Sequence, residues 1–122
     1  MDEPARTVLV VDDDPQILRL VEKMLRPKSF KILVAPRPSE ALSICEREPV
    51  HLLISDIAMP EMDGNKLADK VLSLRPETPI LLISGHFKHD PPAKQKGNVR
   101  FLKKPFFPSD LLEALKDLVP DL

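Results

Sequence analysis

Asp56 stands where an apolar run ends and a turn begins. Residues 52–54 are apolar, Ser55 and Asp56 follow them, and Pro60 and Gly64 come soon after. An aspartate here can be a simple turn residue, helped by the proline and the glycine. It can also be a reactive carboxylate, because open α/β sheets bind their ligands in the crevice at the carboxyl ends of their strands. The other polar residues that end strands decide between these two interpretations.

Four further polar residues end other apolar runs. Asp12 and Asp13 close the first run, Ser84 closes the fourth, and Lys104 follows the fifth. In a parallel sheet these positions share one edge, so we expect the side chains to converge there. Three carboxylates at close range repel one another and raise at least one pKa unless a cation lies among them. A hard divalent cation suits such oxygen ligands, and Mg²⁺ with several retained waters fits best, with Mn²⁺ as the alternative.

A lysine and a hydroxyl beside a divalent ion could stabilise a phosphoryl group in transfer. Asp56 would then be the nucleophile, because carboxylates form acyl phosphates in this way. Each residue taken singly also has a plainer interpretation. Lys103 and Lys104 could be surface lysines, Ser84 alone indicates nothing, and Asp14 is better explained as a helix cap than as a ligand.

Strand and helix patterns alternate along the chain and would position these residues. Apolar runs predict five strands, at 7–11, 30–35, 50–55, 80–84 and 99–102. Helical spacing predicts helices after the Asp14 cap, over about 39–47, over about 65–75 and from Pro108 onward. This alternation predicts a doubly wound α/β fold, with a five-stranded parallel sheet covered by helices on both faces. Residues 85–97 offer almost no apolar face and contain two adjacent prolines, so any helix between the last two strands should be short or irregular.

The composition limits the classes of protein that the chain can be. Its 122 residues predict a single domain over positions 1–122. The net charge of −1 argues against nucleic acid or anionic lipid as a direct partner. No apolar stretch approaches the roughly 20 residues of a membrane span, and the start of the chain does not read as a secretory signal, so we expect a cytoplasmic location.

The cysteine and the histidines do not predict a metal site. Cys45 is the only cysteine, which excludes an internal disulfide and predicts a small core residue. His51 falls in the predicted third strand, and His86 and His89 fall in a loop without a carboxylate or thiol pattern. We therefore expect solvated or core-satisfied histidines.

Four segments together resemble the receiver domain of two-component response regulators. They are residues 8–14, 55–64, 83–85 and 101–106, which read VLVVDDD, SDIAMPEMDG, ISG and FLKKPF. The resemblance covers almost the whole chain and implies a flavodoxin-like, chemotaxis-type fold with strand order 2-1-3-4-5. The third and fourth segments are also similar to the receivers of hybrid histidine kinases.

The resemblance implies a role for each residue of the acidic edge. Asp56 is the phosphoacceptor. Asp12, Asp13 and the main-chain carbonyl of Ala58 bind Mg²⁺ together with Asp56. Lys104 contacts the phosphoryl group.

The resemblance also implies a switch and a partner class. Ser84 and Phe101 match the switch pair of the family, and the bond between Lys104 and Pro105 should be cis. The chain would accept a phosphoryl group from a histidine kinase or a histidine phosphotransfer protein, and would be a signalling domain rather than a turnover enzyme. The output partner is not indicated.

Three other functions compete with this one. A hydrolase with an aspartate nucleophile needs a second carboxylate two residues on, where this chain has Ala58. The chain has only 3 glycines, too few and too dispersed for a dinucleotide loop or a P-loop. A receiver-like interaction module that is not regulated by phosphorylation remains the alternative.

Overall fold

Five parallel strands form the centre of the fold. The computed structural model describes residues 6–28, 30–85 and 98–120. The strands are β1 (Arg6–Val11), β2 (Phe30–Ala35), β3 (Leu52–Asp56), β4 (Ile80–Ser84) and β5 (Val99–Lys103). All pairings are parallel, and the order across the sheet is β2-β1-β3-β4-β5. The predicted fold class and strand order are confirmed.

Four helices in the described ranges connect or follow the strands. They are α1 (Pro15–Leu25), α2 (Pro38–Arg47), α3 (Gly64–Leu74) and α4 (Pro108–Leu118). Three of them begin with proline, whose fixed φ and missing N–H suit the first helical position. Asp14 caps α1 by accepting a hydrogen bond from the N–H of Gln16 at 2.9 Å, as the sequence predicted.

The two faces of the sheet form separate hydrophobic cores. On one face, α2 and α3 cover the sheet with Ala41, Cys45, Leu67, Ala68 and Val71. On the other face, α1 and α4 cover it with Val21, Leu25, Leu111 and Leu115. Every residue of β3 and β4 is buried. Strands buried on both faces need apolar residues at consecutive positions, which explains why these runs do not alternate.

The structure adjusts some details of the sequence predictions. β3 begins at Leu52 rather than at position 50, so His51 lies just before the strand and is exposed. Its Nδ1 accepts a hydrogen bond from the N–H of Thr7 at 2.8 Å. Cys45 is a core residue as predicted, and burial raises the pKa of its thiol.

Some predictions fall on residues 86–97, which lie outside the described part of the chain. These are the short or irregular helix between the last two strands and the environments of His86 and His89. Across the ranges that are described, no helix is both long enough and apolar enough to cross a bilayer.

Candidate functional site

Two buried carboxylates mark the carboxyl edge of the sheet. Asp56 is the last residue of β3 and is 6% exposed, and Asp12 directly follows β1 and is 1% exposed. The N–H of Asp12 donates to the carbonyl of Ala35 at the end of β2 at 3.2 Å, which extends the sheet pairing into the site. Because β1 and β3 are parallel neighbours, both strands deliver their carboxylates to the same edge.

A third carboxylate, that of Asp13, completes an acidic cluster. One oxygen from each of Asp12, Asp13 and Asp56 lies within 4.8 Å of the other two. Oδ2 of Asp12 and Oδ1 of Asp56 are buried and have no hydrogen-bond partner among the described residues. Buried carboxylate oxygens without hydrogen bonds are costly, so a bound cation would stabilise this arrangement. Clustered carboxylate oxygens are the ligands that Mg²⁺ prefers, and the residues present therefore fit the predicted metal.

Lys104 brings a positive charge to the same edge. Its Nζ lies 3.7 Å from Oδ1 of Asp56 and 4.0 Å from Oδ2 of Asp12. These are ion-pair distances that are too long for hydrogen bonds, so neither carboxylate oxygen is satisfied by the lysine. The lysine lies over Gly85, where an added Cβ would come within 3.3 Å of the Lys104 Cδ.

The backbone fixes Lys104 in place. Its N–H donates to the carbonyl of Ser84 at 2.7 Å, which continues the pairing between β4 and β5. The peptide bond between Lys104 and Pro105 is cis, as the resemblance implied. The lysine and the two aspartates therefore meet from three different strands.

Burial raises the pKa values of the two buried carboxylates at this edge. Burial raises the pKa of Asp12 from 3.8 to about 6; the backbone N–H of Asp14 opposes this shift, and the charge of Asp56 adds to it. Burial also raises the pKa of Asp56, while Lys104 and the backbone N–H groups of Ile57 and Ala58 oppose the shift. A bound cation would favour the charged forms of both carboxylates.

The loop after Asp56 is held by a close approach of two backbone segments. The N–H of Gly64 donates to the carbonyl of Ile57 at 2.8 Å. A Cβ at Gly64 would lie only 2.4 Å from the carbonyl oxygen of Asp56 and 2.9 Å from Cα of Ile57. The sequence indicated Gly64 only as a turn residue, whereas the structure requires it because two backbone segments touch there.

The predicted switch residues lie at different depths along their strands. Ser84 is 6% exposed and ends β4 opposite Lys103, beside the acidic edge. Phe101 lies opposite Leu82 and packs, half-buried, against the core that α2 and α3 cover. Of the two, Ser84 is therefore the residue that lies at the carboxyl edge of the sheet.

One contact near the site was not predicted from the sequence. Glu61, in the loop between β3 and α3, accepts hydrogen bonds from the N–H and the hydroxyl of Ser39 at 3.0 and 3.2 Å. Ser39 lies in the first turn of α2, whose N-cap residue, Arg37, makes no side-chain cap. A helix that begins after a residue with no acceptor is the signal that could have prompted a search for a cap from elsewhere.

Comparison with known proteins agrees with this geometry. Residues 8–116 match the family model described as the response regulator receiver domain. An uncharacterized 14.6 kDa protein of Leptolyngbya boryana is 39% identical over 113 residues, which cover 89% of this chain and 86% of that protein. The transcriptional regulatory protein GlrR of Escherichia coli is 34% identical over 112 residues, which cover 90% of this chain. The chain spans only about a quarter of the length of GlrR and of a second such regulator, QseF.

Solved structures show the same fold. The chemotaxis protein CheY4 of Vibrio cholerae superposes with a TM-score of 0.80 at 28% identity, over 94% of this chain and 99% of that one. The receiver domain of the hybrid histidine kinase CckA superposes with a TM-score of 0.78 at 29% identity, over 93% of this chain and 98% of that one. With its acidic edge, strand order and family match all in agreement, the chain belongs to the family of response regulator receiver domains.

Proposed function

We propose that the chain is a phosphoacceptor signalling domain in which Asp56 is phosphorylated. The observation that supports this most strongly is the buried, unpartnered Oδ1 of Asp56, which lies 3.7 Å from the Lys104 amine. An oxygen in that position is available as a nucleophile and has a cation beside it to balance the incoming charge.

The transfer is an exchange of one phosphorus bond for another. A carboxylate oxygen of Asp56 attacks the phosphorus of a phosphohistidine, a P–O bond forms and the P–N bond breaks, leaving an acyl phosphate and a neutral imidazole after proton uptake. Lys104 stabilises the equatorial oxygens in the transition state as a point charge. The protein contributes positioning and charge.

The metal of the site is proposed to be Mg²⁺, with Mn²⁺ as a substitute. Asp12, Asp13, Asp56 and the carbonyl of Ala58 would hold it, and when bound it neutralises the carboxylates and the phosphoryl oxygens. The support is the cluster of three carboxylates within 4.8 Å and the two unpartnered oxygens within it.

We also propose that Ser84 and Phe101 transmit the change. A phosphoryl group adds nearly two negative charges and three acceptors beside Ser84, whose hydroxyl can gain a hydrogen bond only in the phosphorylated state. That gain biases a two-state equilibrium in which the Phe101 ring follows the hydroxyl. Phe101 has no hydroxyl of its own, so the output depends on the position of the ring.

The donor is a histidine kinase or a histidine phosphotransfer protein, residues 1–122 act as a single receiver domain, and the domain works in the cytoplasm. It takes part in its own phosphorylation and dephosphorylation and is not a turnover enzyme. A small acyl phosphate should replace the protein donor in a test, since the site supplies most of the chemistry.

The decisive experiment is intact mass spectrometry after incubation with acetyl phosphate and Mg²⁺. The parent should gain one phosphoryl group, and Asp56→Asn should gain none. Asp69→Asn, which removes an exposed aspartate from α3, is the matched control and should behave as the parent. Hydroxylamine should remove the adduct from the parent, because it cleaves an acyl phosphate but leaves a serine phosphate intact.

The other functions predict different results. An interaction module that is not phosphorylated would show no adduct on the parent, and this outcome would overturn the proposal. A hydrolase would consume the donor repeatedly without a lasting adduct. A hydroxylamine-resistant adduct would place the phosphate on a hydroxyl group rather than on Asp56.

A further inference from the structure

The loop between β3 and α3 is attached to α2 through one carboxylate. Oε1 of Glu61 accepts the N–H of Ser39 at 3.0 Å, and Oε2 accepts the Ser39 hydroxyl at 3.2 Å. The two residues are 22 positions apart in the chain, so the contact joins elements that are not sequence neighbours. Both carboxylate oxygens bond to Ser39, which fixes the orientation of the carboxylate as well as its position.

The contact supplies a cap that α2 lacks. The first N–H groups of a helix have no partner within the helix, and Arg37 at the N-cap position offers no side-chain acceptor. Arg37 pairs instead with Glu40, at 3.4 Å. A carboxylate at a helix N-terminus makes a charge-assisted hydrogen bond and meets the positive end of the helix dipole. The contact therefore caps α2 and also fixes the position of Glu61.

The loop between β3 and α3 also contacts the hydrophobic core under α2 and α3. Met59 is 9% exposed and lies in the core under α2 and α3, and Met62 packs against that core. The N–H of Gly64 closes the loop onto the carbonyl of Ile57. Ala58 lies in the exposed part of the loop, between Asp56 and the Met59 anchor. Met59 and Met62 fix the loop to the core, and Glu61 attaches it to the N-terminus of α2.

We infer that Glu61 is a positioning residue, which holds this loop against the N-terminus of α2 and so sets where Ala58 stands relative to the acidic edge. The effect on Mg²⁺ binding rests on the proposed function, because it assumes that the Ala58 carbonyl is a ligand. The anchoring of the loop does not rest on that function and can be measured without metal.

The first measurement is amide hydrogen exchange in the metal-free protein. Glu61→Ala should speed exchange at the amides of Ser39 and Gly64. The Ser39 N–H loses its acceptor, and the Gly64 N–H closes the loop that the carboxylate holds against α2. Glu40→Gln is the matched control, since it removes a carboxylate from the same turn of α2 without touching the loop. It should leave both amides unchanged.

The second measurement is Mg²⁺ binding by calorimetry, since the chain has no tryptophan to report it. Groups that orient a ligand from outside the metal's own shell typically change affinity by about tenfold or more, and Glu61 is exposed, so we expect Glu61→Ala to weaken binding about threefold to tenfold. Glu61→Gln keeps one acceptor for the Ser39 N–H and should recover part of this loss. Recovery by the neutral amide distinguishes anchoring from a simple effect of charge.

A double-mutant cycle with Ser39→Ala tests the partner. Ser39→Ala alone removes the hydrogen bond from the Ser39 hydroxyl to Glu61 and should weaken Mg²⁺ binding less than Glu61→Ala does. In the Glu61→Ala background it should add nothing, because the contact is already lost. Independent effects of the two changes would contradict the inference.

The outcomes separate this inference from the proposed function. If Glu61→Ala exchanges like the parent, or if Glu40→Gln has the same effect, the anchoring is overturned whatever the metal does. If exchange rises as expected but the parent binds no Mg²⁺, the anchoring stands and the proposed metal site fails.

Discussion

The two edges of the sheet differ in how their side chains are paired. At the amino edge, the N–H of Thr7 donates to Nδ1 of His51, and the N–H of His51 donates to the carbonyl of Thr7, both at 2.8 Å. Nearby, Nδ2 of Asn98 donates to the carbonyl of Glu77 at 2.9 Å. These groups are paired, whereas Nε of Arg75, in the turn before β4, is buried without a hydrogen-bond partner among the described residues.

The carboxyl edge holds buried carboxylate oxygens that have no hydrogen-bond partner in the part of the chain that the structure describes. Asp12 and Asp56 are buried with one oxygen each that has no partner in the described ranges, and Lys104 stands at 3.7 Å or more from both. Such groups lower the stability of the metal-free protein, because burial penalises their charged forms. At the amino edge, side chains thus bond backbone groups of the sheet, whereas the carboxyl edge holds two buried carboxylates whose pKa values are raised, which is typical of functional sites.

The largest expected effect comes from the backbone contact that builds the carboxyl edge. Gly64→Ala would place a Cβ 2.4 Å from the Asp56 carbonyl oxygen, and backbone atoms cannot rotate away. We expect the free energy of unfolding to fall by about 3 kcal/mol, at the upper end of overpacking effects, measured by urea denaturation. Gly85→Ala meets only the flexible Lys104 side chain and should cost far less. Equal losses for the two variants would show that the contact at Gly64 is not critical.

The next effect tests whether the buried charge of Asp12 lowers stability. Asp12→Asn keeps an acceptor for the Asp14 N–H, which donates to Oδ1 at 2.9 Å, and removes the buried charge. The metal-free protein should gain about 1–2 kcal/mol, because a buried charge that is balanced by Lys104 only at 4.0 Å is removed, while Mg²⁺ binding is lost.

The control for Asp12→Asn lies away from the carboxyl edge. Glu48→Gln removes one charge of the exposed Lys31–Glu48 pair, at 2.6 Å, and should change the free energy of unfolding by no more than about 0.5 kcal/mol. A loss of stability in Asp12→Asn without metal would contradict the contrast between the edges.

A pH profile examines the same carboxylate without mutation. The pKa of Asp12 is raised from 3.8 to about 6, so between those values the unfolded chain releases this proton while the folded chain keeps it. In the absence of metal, this group therefore makes the free energy of unfolding fall as the pH rises from about 4 to about 6. Subtracting the profile of Asp12→Asn isolates its contribution. A difference that grows as the pH falls from 6 to 4, in favour of the variant, would reverse the expected sign.

The smallest effect tests the paired edge. His51→Ala leaves the Thr7 N–H without its acceptor, and because His51 is exposed, water can partly replace the acceptor. We expect a loss of about 1 kcal/mol in thermal or urea unfolding, with Mg²⁺ binding unchanged. His51→Asn, which offers an oxygen at a similar position to Nδ1, should retain most of the stability. A change in Mg²⁺ affinity would mean that the two edges are not independent.

Much of the fold could be predicted because the signals are local. Continuous apolar runs indicated strands buried on both faces, and a proline after Asp14 indicated the start of α1. Strand ends were less certain, and β3 began two positions later than predicted, because an apolar valine before a histidine can belong to a strand or to the turn before it. Residues 86–97 carried a prediction that lies outside the described structure.

The residues of the candidate site could also be named from the sequence, since parallel strands bring their carboxyl ends together. Asp12, Asp13, Asp56 and Lys104 do meet at one edge. The roles assigned to them, and to Ser84, Phe101 and Ala58, stay predictions until phosphorylation and metal binding are measured.

The sequence by itself determined the order of strands and helices, the apolar faces and the acidic residues that end the strands, because each depends on neighbouring residues. Only the tertiary structure decided which carboxylate oxygens lack partners, that Gly64 touches the backbone of Asp56, and that Glu61 caps α2 from a distant loop. These features depend on the distance between segments far apart in the chain, and no local pattern records that distance.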